Sequence, residues 1–310
     1  MFTRRKILRL AAAATATASL TKFSNARLPV DRTVGFGFSL YGMKNLPLIE
    51  ALGIVAAVGY DCVELPTMAD WPGAPEKFRK EDRERFRDAL VQNSLRLSAL
   101  MENVVLLAAP DIHAKNLDRL RAAAELGHDL QPSAEPIIET VMGGQPSQWD
   151  DVRTAMVDRL SEWAKVAEQT KAVIAVKAHI SGAAHRPEHV RWLLDQVKSP
   201  SLKAVFDFSH FQLRELNLKE AWNLLASDTV FVHVKDSTGD QQKFQFVLPG
   251  EGSIDYVQYL KLVRDSGYQG DIVVEVSGQL HSRPDYNPIA ACKKSYGISA
   301  SFQEANLKRD

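Results

Sequence analysis

The sequence lacks two features that would place the protein in a membrane or on a nucleic acid. No run of about 18 apolar residues occurs along the chain, so no membrane-spanning helix is expected. Neither charge is in surplus, because 38 lysines and arginines balance 38 aspartates and glutamates. Nucleic-acid-binding proteins usually carry a basic surplus, so its absence argues against a nucleic-acid partner.

Cysteine is scarce, and the two cysteines do not form a metal-binding motif. Cys62 and Cys292 lie far apart in the 310 residues, without the short spacing typical of metal ligands. Cys62 stands among apolar residues in "YDCVEL", which is typical of a small core side chain. The sequence therefore requires neither a structural metal nor a disulfide.

The N-terminus has the anatomy of an export signal rather than of a folded segment. A basic start, "MFTRRKILRL", precedes a mildly apolar Ala/Thr stretch and small residues at 24–26. Arg4 and Arg5 resemble the twin-arginine signal, whose substrates fold before export. We therefore expect residues 1–26 to be a signal peptide and the protein to act in the periplasm or outside the cell. An ordinary basic N-terminus is the alternative.

Residues 27–310 alternate between strand patterns and helix patterns. Short apolar runs typical of buried strands recur eight times, with helical periodicity between them. This alternation indicates parallel strands with helical crossovers, and eight units match the size of a closed (β/α)8 barrel. A doubly wound sheet usually has a glycine-rich turn after its first strand, which "FSLYGMKN" is not. We therefore predict an α/β fold, a single-domain TIM barrel, with strands at 33–40, 59–65, 95–101, 135–141, 171–178, 202–208, 229–235 and 270–277.

Polar residues follow the predicted strands at the ends where a barrel holds its active site. Asp207, His233 and Glu275 lie at equivalent heights on three consecutive strands about 4.8 Å apart, so their side chains can meet. Two carboxylates and an imidazole suit Mn²⁺, Mg²⁺, Zn²⁺ or Co²⁺, with a metal-free polar cluster as the alternative. Taken singly, any such residue could instead face solvent or cap a helix. The other polar residues at these ends are Glu64, Glu102, Asn103, Glu139, Lys177, His179, His210, Lys235 and Asp236.

Five motifs carry a family resemblance: "GYDCVEL", "FDFSHF", "FVHVKDS", "VLPGEGSIDY" and "GYQGDIVVEVS". In this order and spacing they resemble the xylose isomerase-like barrel superfamily, over residues 33–303. That superfamily includes sugar isomerases, sugar epimerases and an abasic-site endonuclease branch. The resemblance implies a divalent metal held by a Glu of strand five, an Asp of strand six, a His of strand seven and a Glu of strand eight. Asp207, His233 and Glu275 match three of these ligands, and His210 matches a position that often contacts substrate.

The strand-five ligand does not match, because "VIAVKAH" places Lys177 at its position. In a first account the metal remains, His179 or water fills the gap, and the ion lowers the pKa of Lys177 to make it a general base. In a second account the Lys177 ammonium replaces the metal between Asp207 and Glu275. It then stabilises an enediolate-like oxyanion or forms a Schiff base. In a third account the pocket binds a sugar without catalysis.

The resemblance implies a sugar isomerase or epimerase that removes a proton next to a carbonyl, assisted by a divalent metal (Mn, Co, Zn or Mg). Isomerisation, epimerisation and β-elimination all begin with this step. The export signal favours a free sugar or keto-glycoside as the small-molecule substrate. The endonuclease branch is disfavoured, because "VELPTM" and "LMENVV" lack the extra histidines that its three-metal site needs. An oligomer is compatible with the sequence.

Eight of the polar residues at these strand ends receive an expected role. A catalytically inactive or metal-free sugar-binding barrel is the alternative to these roles, because Lys177 stands in place of the usual ligand. Two further histidines, His113 and His128, are interpreted as surface residues. We expect Lys177 and Glu275 to be catalytic, His179, His210, Lys235 and Glu102 to contact substrate, and Asp207, His233 and Glu275 to bind the metal.

Overall fold

A computed structural model of the protein describes residues 34–305 and residue 307. The expected export signal, residues 1–26, lies outside this part of the chain and stays a prediction. Ten strands form in the described residues. They are β1 (Phe36–Ser39), β2 (Cys62–Pro66), β3 (Arg96–Met101), β4 (Ile137–Val141), β5 (Val173–Lys177), β6 (Leu202–Asp207), β7 (Thr229–Val234), β8 (Asp236–Gly239), β9 (Phe244–Val247) and β10 (Ile272–Val274).

Helices follow the strands along the chain and pack around them. None of the helices in residues 34–305 combines the length and the apolar character that crossing a membrane requires. The α-helices of the described part are α1 (Leu48–Val58), α2 (Lys80–Gln92), α3 (Pro110–Leu130), α4 (Trp149–Thr170), α5 (Pro187–Val197), α6 (Phe208–Gln212), α7 (Leu218–Leu225), α8 (Tyr256–Asp265), α9 (Gly278–His281), α10 (Pro288–Ser295) and α11 (Ser299–Glu304).

Eight of the strands close into a parallel barrel, which confirms the predicted (β/α)8 fold. Their order around the barrel is β1-β2-β3-β4-β5-β6-β7-β10, and β10 pairs again with β1. The closing register places Phe36 beside Ile272. In such a barrel the carboxyl ends of all eight strands meet at one face, which positions the polar residues that follow them.

Apolar side chains fill both the inside and the outside of the barrel. Inside, a layer contains Cys62, Ala175 and Phe231, all fully buried, as the apolar context of Cys62 predicts. Outside, helices pack over the strands through side chains such as Trp163 of α4 and Trp222 of α7, which are also fully buried. A strand with apolar neighbours on both faces explains the unbroken apolar runs of the sequence.

Three details differ from the sequence-based expectations. A two-stranded antiparallel hairpin, β8–β9, follows β7. Asp240 stabilises its turn, because the Asp240 carboxylate accepts hydrogen bonds from the backbone N–H groups of Gln242 and Lys243. The sequence predicts one last helix at about 287–305, but a 3₁₀ turn at Tyr296–Ile298 divides it into α10 and α11. His113 is buried rather than on the surface, because its ring hydrogen-bonds to the Glu162 carboxylate of α4.

Gly37 of β1 lies where the barrel wall leaves no room for a side chain. An added Cβ would stand 2.6 Å from Cys62 Sγ and 2.8 Å from the Cys62 carbonyl oxygen. We expect Gly37→Ala to lower the free energy of unfolding by about 1–3 kcal/mol, the usual cost of overpacking. Urea denaturation followed by far-UV circular dichroism measures this change.

Gly53 provides the matched control for that substitution. It lies within α1, and a Cβ built there meets no atom within 4 Å. Gly53→Ala should therefore raise the free energy of unfolding by about 0.5–1 kcal/mol, because alanine restricts the unfolded chain more than glycine does. Equal effects of the two substitutions would contradict the tight packing at Gly37.

Candidate active site

A cavity of about 270 Å³ opens at the carboxyl ends of the barrel strands. Lys177 enters it from the end of β5, Lys235 from the end of β7 and Glu275 from the end of β10. The ammonium groups of Lys177 and Lys235 and the carboxylate of Glu275 thus line the cavity. Its lining is completed by Tyr41, Asn103, Val141, Gly143, Gly144, His179, Ser181, Gly182, His210, Phe246, Ser277 and Gly278.

Lys177 points into the barrel and contacts groups from three other strand ends. Its Nζ lies 3.0 Å from His233 Nδ1 and donates to Glu275 Oε2 at 3.2 Å. A third partner, Glu139 Oε2 on β4, is 3.7 Å away. The side chain is only 3% exposed, so these partners replace the water that the ammonium group would otherwise bind.

Lys235 forms the second ammonium contact of the cluster. Its Nζ donates to Glu275 Oε2 at 2.6 Å and also hydrogen-bonds to Asp207 Oδ2. The Phe246 ring of the β8–β9 hairpin covers the same ammonium, with its centroid 4.9 Å from Nζ. Glu275 Oε2 therefore accepts from Lys177 and Lys235 together, and it links the two lysines.

A second set of polar groups lies deeper in the barrel. His233 Nε2 is 3.1 Å from Glu64 Oε1, and Ser39 donates its hydroxyl to the other oxygen of Glu64 at 2.5 Å. Glu139 is fully buried, and neither of its carboxyl oxygens has a hydrogen-bond partner within the described residues. Glu64 and Glu139 are thus interior groups and neither face solvent nor cap helices.

The charges of the cluster stabilise one another. Burial by itself would lower the pKa of Lys177, but the nearby carboxylates of Glu139 and Glu275 outweigh burial and raise it above its usual value. Burial likewise would raise the pKa of Asp207 and of Glu275. Lys235 and Lys177 reverse this effect and hold both carboxyl pKa values well below the usual range. Lys177 is therefore charged in this arrangement.

The pKa values of His179, His210 and Glu139 are shifted toward the neutral forms of these groups. Burial, together with the nearby Lys177 and Lys235 ammonium groups, lowers the pKa of His179 to about 2 and that of His210 to about 4. Both rings are neutral at pH 7. Nδ1 of His179 accepts the Ser181 N–H at 3.2 Å, so the neutral ring carries its proton on Nε2 and can donate it. Burial raises the pKa of Glu139 to about 7.

Aromatic side chains form one wall beside the cavity. Tyr41, which lines the cavity, stacks on Trp71 at 4.7 Å between ring centroids. His281 packs edge-on against Tyr41 at 4.5 Å. A rigid aromatic face of this kind can support an apolar face of a sugar ring.

The structure brings most of the expected site residues together. One ligand atom each of Asp207, His233 and Glu275 lies within 4.8 Å of the others, as their equivalent heights predict. Glu102 differs, because it lies outside the residues that line the cavity. Its carboxylate instead accepts the Arg119 guanidinium at 2.8 and 3.1 Å, which uses both oxygens within the protein. The other expected residues, Lys177, His179, His210 and Lys235, line the cavity.

Three groups of the site were missed by the sequence analysis. Tyr41 follows β1 in "FSLYG", where an aromatic residue directly after a strand was the available signal. Ser39 and Ser277 are small polar residues at strand ends, which are too common in turns to indicate a site. Ser277 begins α9 by accepting the Gln279 N–H, so it also has a structural role.

The fit of a divalent metal can be tested against the contacts of these donors. Asp207, His233 and Glu275 form a candidate group of metal ligands, and Glu64, Glu139 and His233 form another. In the first group, however, the Lys177 and Lys235 ammonium groups already contact atoms that would ligate the ion. An ammonium group has no lone pair and repels a cation. The first group, as arranged here, does not fit a divalent ion.

The fold is a parallel eight-stranded barrel, and buried acid and base groups cluster at the carboxyl ends of its strands. Barrels of this class, the (β/α)8 barrels, hold their active sites at those ends. Within that class the chain belongs to the family of xylose isomerase-like TIM barrels. The model of this family matches residues 52–293. This confirms the family that the five sequence motifs indicate.

Relatives of the chain include epimerases and dehydratases. The D-psicose 3-epimerase of Enterocloster bolteae is 23% identical over 241 residues, which cover 71% of this chain and 74% of the relative. The inosose dehydratase of Clostridium beijerinckii is 23% identical over 168 residues, which cover 49% of this chain and 55% of the relative. A solved structure of the IOLI protein with a bound zinc atom has a TM-score of 0.71 at 18% identity, covering 87% of this chain and 99% of that chain.

Proposed function

We propose that the protein removes a proton from the carbon next to a carbonyl group of a sugar or keto-glycoside. One observation carries this proposal: a carboxylate and two ammonium groups, in mutual contact, face one cavity at the carboxyl end of the barrel. Proton removal at this position begins isomerisation, epimerisation and dehydration alike. The relatedness to an epimerase and a dehydratase supports the proposal.

Glu275 is assigned as the base. Within the described residues it is the one carboxylate that lines the cavity. Its side chain is 11% exposed, so one edge of it can reach a bound substrate. In the proposed step the C–H bond breaks, the proton passes to the carboxylate, the C–H electron pair forms a C=C bond, and the carbonyl π pair moves to oxygen to give an enediolate. Epimerisation is completed when a proton is delivered to the opposite face of the same carbon. Isomerisation is completed when the proton is delivered to the former carbonyl carbon and the hydroxyl proton passes from one oxygen to the other.

Lys177 and Lys235 are assigned as the groups that stabilise the oxyanion. The two ammonium groups lower the pKa of Glu275, which makes the carboxylate a weak base. This weakness is offset during the reaction: when Glu275 takes the proton it becomes neutral, and negative charge appears on the substrate oxygen instead. The ammonium groups then pair with the oxyanion in place of the carboxylate. Their electrostatic stabilisation is largest in the transition state.

His179 is assigned to substrate binding. His179 and His210 are both neutral at pH 7 and line the cavity, and His179 can donate its Nε2 proton to a sugar hydroxyl without adding charge. His210 instead contacts protein groups through both ring nitrogens, because its Nδ1 accepts the Ile180 N–H at 3.2 Å and its Nε2 lies 3.3 Å from Lys235 Nζ. Tyr41 supplies the aromatic face beside the cavity. We further propose that the substrate lies outside the cytoplasm, as the twin-arginine-like start of the sequence indicates.

Hydrogen–deuterium exchange tests the proposed step without knowledge of the final product. Ketohexoses and keto-glycosides are incubated with the protein in D₂O, and the α-proton signals are followed by ¹H NMR. We expect one α-proton of an accepted substrate to exchange at least about 100-fold faster than without protein, the lower range for general base catalysis. A panel of unphosphorylated sugars should be accepted in preference to the matching sugar phosphates.

A sugar-binding protein without turnover is the second candidate, and one observation favours it. The carboxylates of Asp207 and Glu275 are held ionised by the two lysines, which is a stable arrangement for binding alone. In this case sugars would bind, as measured by isothermal titration calorimetry, but no α-proton would exchange. Binding without exchange would therefore contradict the enzymatic proposal and support this one.

A further inference from the structure

We propose that the Lys177 ammonium takes the place of a divalent cation, so that the protein works without a metal at Asp207, His233 and Glu275. The inference rests on the proposed function, because it names the group that polarises the substrate carbonyl there. It is carried by the position of Lys177 among atoms that could otherwise be metal ligands.

The donor atoms themselves have the right types and spacing for an ion. Two carboxylate oxygens and one imidazole nitrogen, from Asp207, His233 and Glu275, lie within 4.8 Å of one another. Such a set of oxygen and nitrogen donors suits Mn²⁺, Zn²⁺ or Mg²⁺. What occupies the space between these donors therefore decides whether an ion can bind there.

That space is taken by ammonium groups. Lys177 Nζ lies 3.0 Å from His233 Nδ1 and 3.2 Å from Glu275 Oε2. Lys235 Nζ lies 2.6 Å from the same Glu275 oxygen and contacts Asp207. Each of the three donors is thus paired with a lysine, and a divalent ion bound to them would stand beside two positive charges in a poorly solvated site.

Lys177 is also held in this position from its other side. Its side chain is 3% exposed, and Glu139 Oε2 lies 3.7 Å from Nζ. Withdrawal of the lysine into solvent would leave the Glu139 carboxyl, which is fully buried, without its cationic neighbour. The surrounding carboxyl groups therefore favour a positive charge at this position, which the Lys177 ammonium supplies.

Metal binding by the wild-type protein and by Lys177→Glu tests this inference directly. Each purified protein is dialysed against MnCl₂ or ZnCl₂ at micromolar concentration, and the bound metal is measured by mass spectrometry. We expect far less than one ion per chain for the wild type. Lys177→Glu removes the repelling charge and adds a carboxylate donor, so we expect it to bind about one ion per chain.

Lys165→Glu is the matched control, because it makes the same charge change at an exposed position of α4. It should bind no more metal than the wild type. Circular dichroism confirms that each variant is folded. Should Lys177→Glu fail to fold, Lys177→Gln removes the charge alone, and the wild-type measurement still decides the question.

About one tightly bound ion per wild-type chain would overturn the inference, as would a Lys177→Glu variant that folds and binds no metal. These outcomes are distinct from a failure of the proposed function. Metal content is measured without a substrate, whereas the proposed function fails only if no sugar shows α-proton exchange. If exchange occurs, it should continue at an unchanged rate after dialysis of the wild type against EDTA.

Discussion

Glu275→Gln is expected to reduce α-proton exchange by about 1,000-fold, within the usual range for loss of a general base. The amide that replaces the carboxylate has nearly the same shape but cannot accept the proton. It also removes the negative charge that Lys177 and Lys235 both contact, at 3.2 and 2.6 Å. Exchange rates by ¹H NMR in D₂O, with the best substrate of the sugar panel, measure the effect.

Glu125→Gln is the matched control for this prediction. Its side chain is 73% exposed and pairs with Arg83 on the outside of the barrel, so the substitution should leave the exchange rate unchanged. Thermal unfolding of both variants separates loss of chemistry from loss of fold. If the Glu275→Gln rate stays within threefold of wild type in a folded protein, Glu275 is not the base.

Asp271→Ala is expected to lower the free energy of unfolding by about 3–5 kcal/mol, because it removes a buried carboxylate that accepts three hydrogen bonds. Asp271 precedes β10 at the opposite end of the barrel from the cavity and is 3% exposed. Its carboxylate accepts the Arg96 guanidinium at 2.7 Å, the Ser98 hydroxyl at 2.9 Å and the Gly35 N–H at 3.0 Å. Truncation leaves these buried or half-buried donors without an acceptor.

Differential scanning calorimetry measures this loss as a fall in melting temperature, which should reach roughly 5–10 °C. Asp265→Ala is the matched control, because that aspartate also pairs with an arginine, Arg264, but is 63% exposed. Exposed ion pairs contribute about 0–1 kcal/mol, so the control should change stability little. Similar effects of the two substitutions would show that the contacts of Asp271 do not stabilise the barrel closure.

The fold was predictable because the barrel strands are apolar on both faces. Runs such as "KAVIAVKAH" identify a buried strand, and eight of them at regular spacing leave few alternatives to a barrel. The β8–β9 hairpin was missed because it is short and outside the barrel, where local turn chemistry at Asp240 rather than core burial sets the structure. The break at Tyr296–Ile298 was missed because it leaves the apolar periodicity of the last helix intact.

Part of the site was predictable from strand register. Asp207 pairs in register with His233, and Val273, two residues before Glu275, pairs with His233 as well. Neighbouring strand ends therefore place these three side chains together without any knowledge of the helices. The sequence alone indicated this convergence, although the role of each residue stays a prediction.

The partners of the lysines and of Glu102 were not predictable from register. Lys177 reaches His233 and Glu275 across the barrel interior, between strands that are not neighbours in the sheet. Such contacts depend on the length and rotamer of a flexible side chain, which strand spacing does not fix. Glu102 is at a strand end like the others, but Arg119 of α3 binds both its oxygens and withdraws it from the cavity.

The two-sided contacts of His233 restrict how this barrel can be recombined with others. One ring nitrogen contacts Glu64 of β2, and the other contacts Lys177 of β5. Lys177 also has Glu139 of β4 as a neighbour. A chimera that joins the first four strands of this protein to the last four of a relative would inherit the acids without their bases, so half-barrel exchange here must carry these residues as one set.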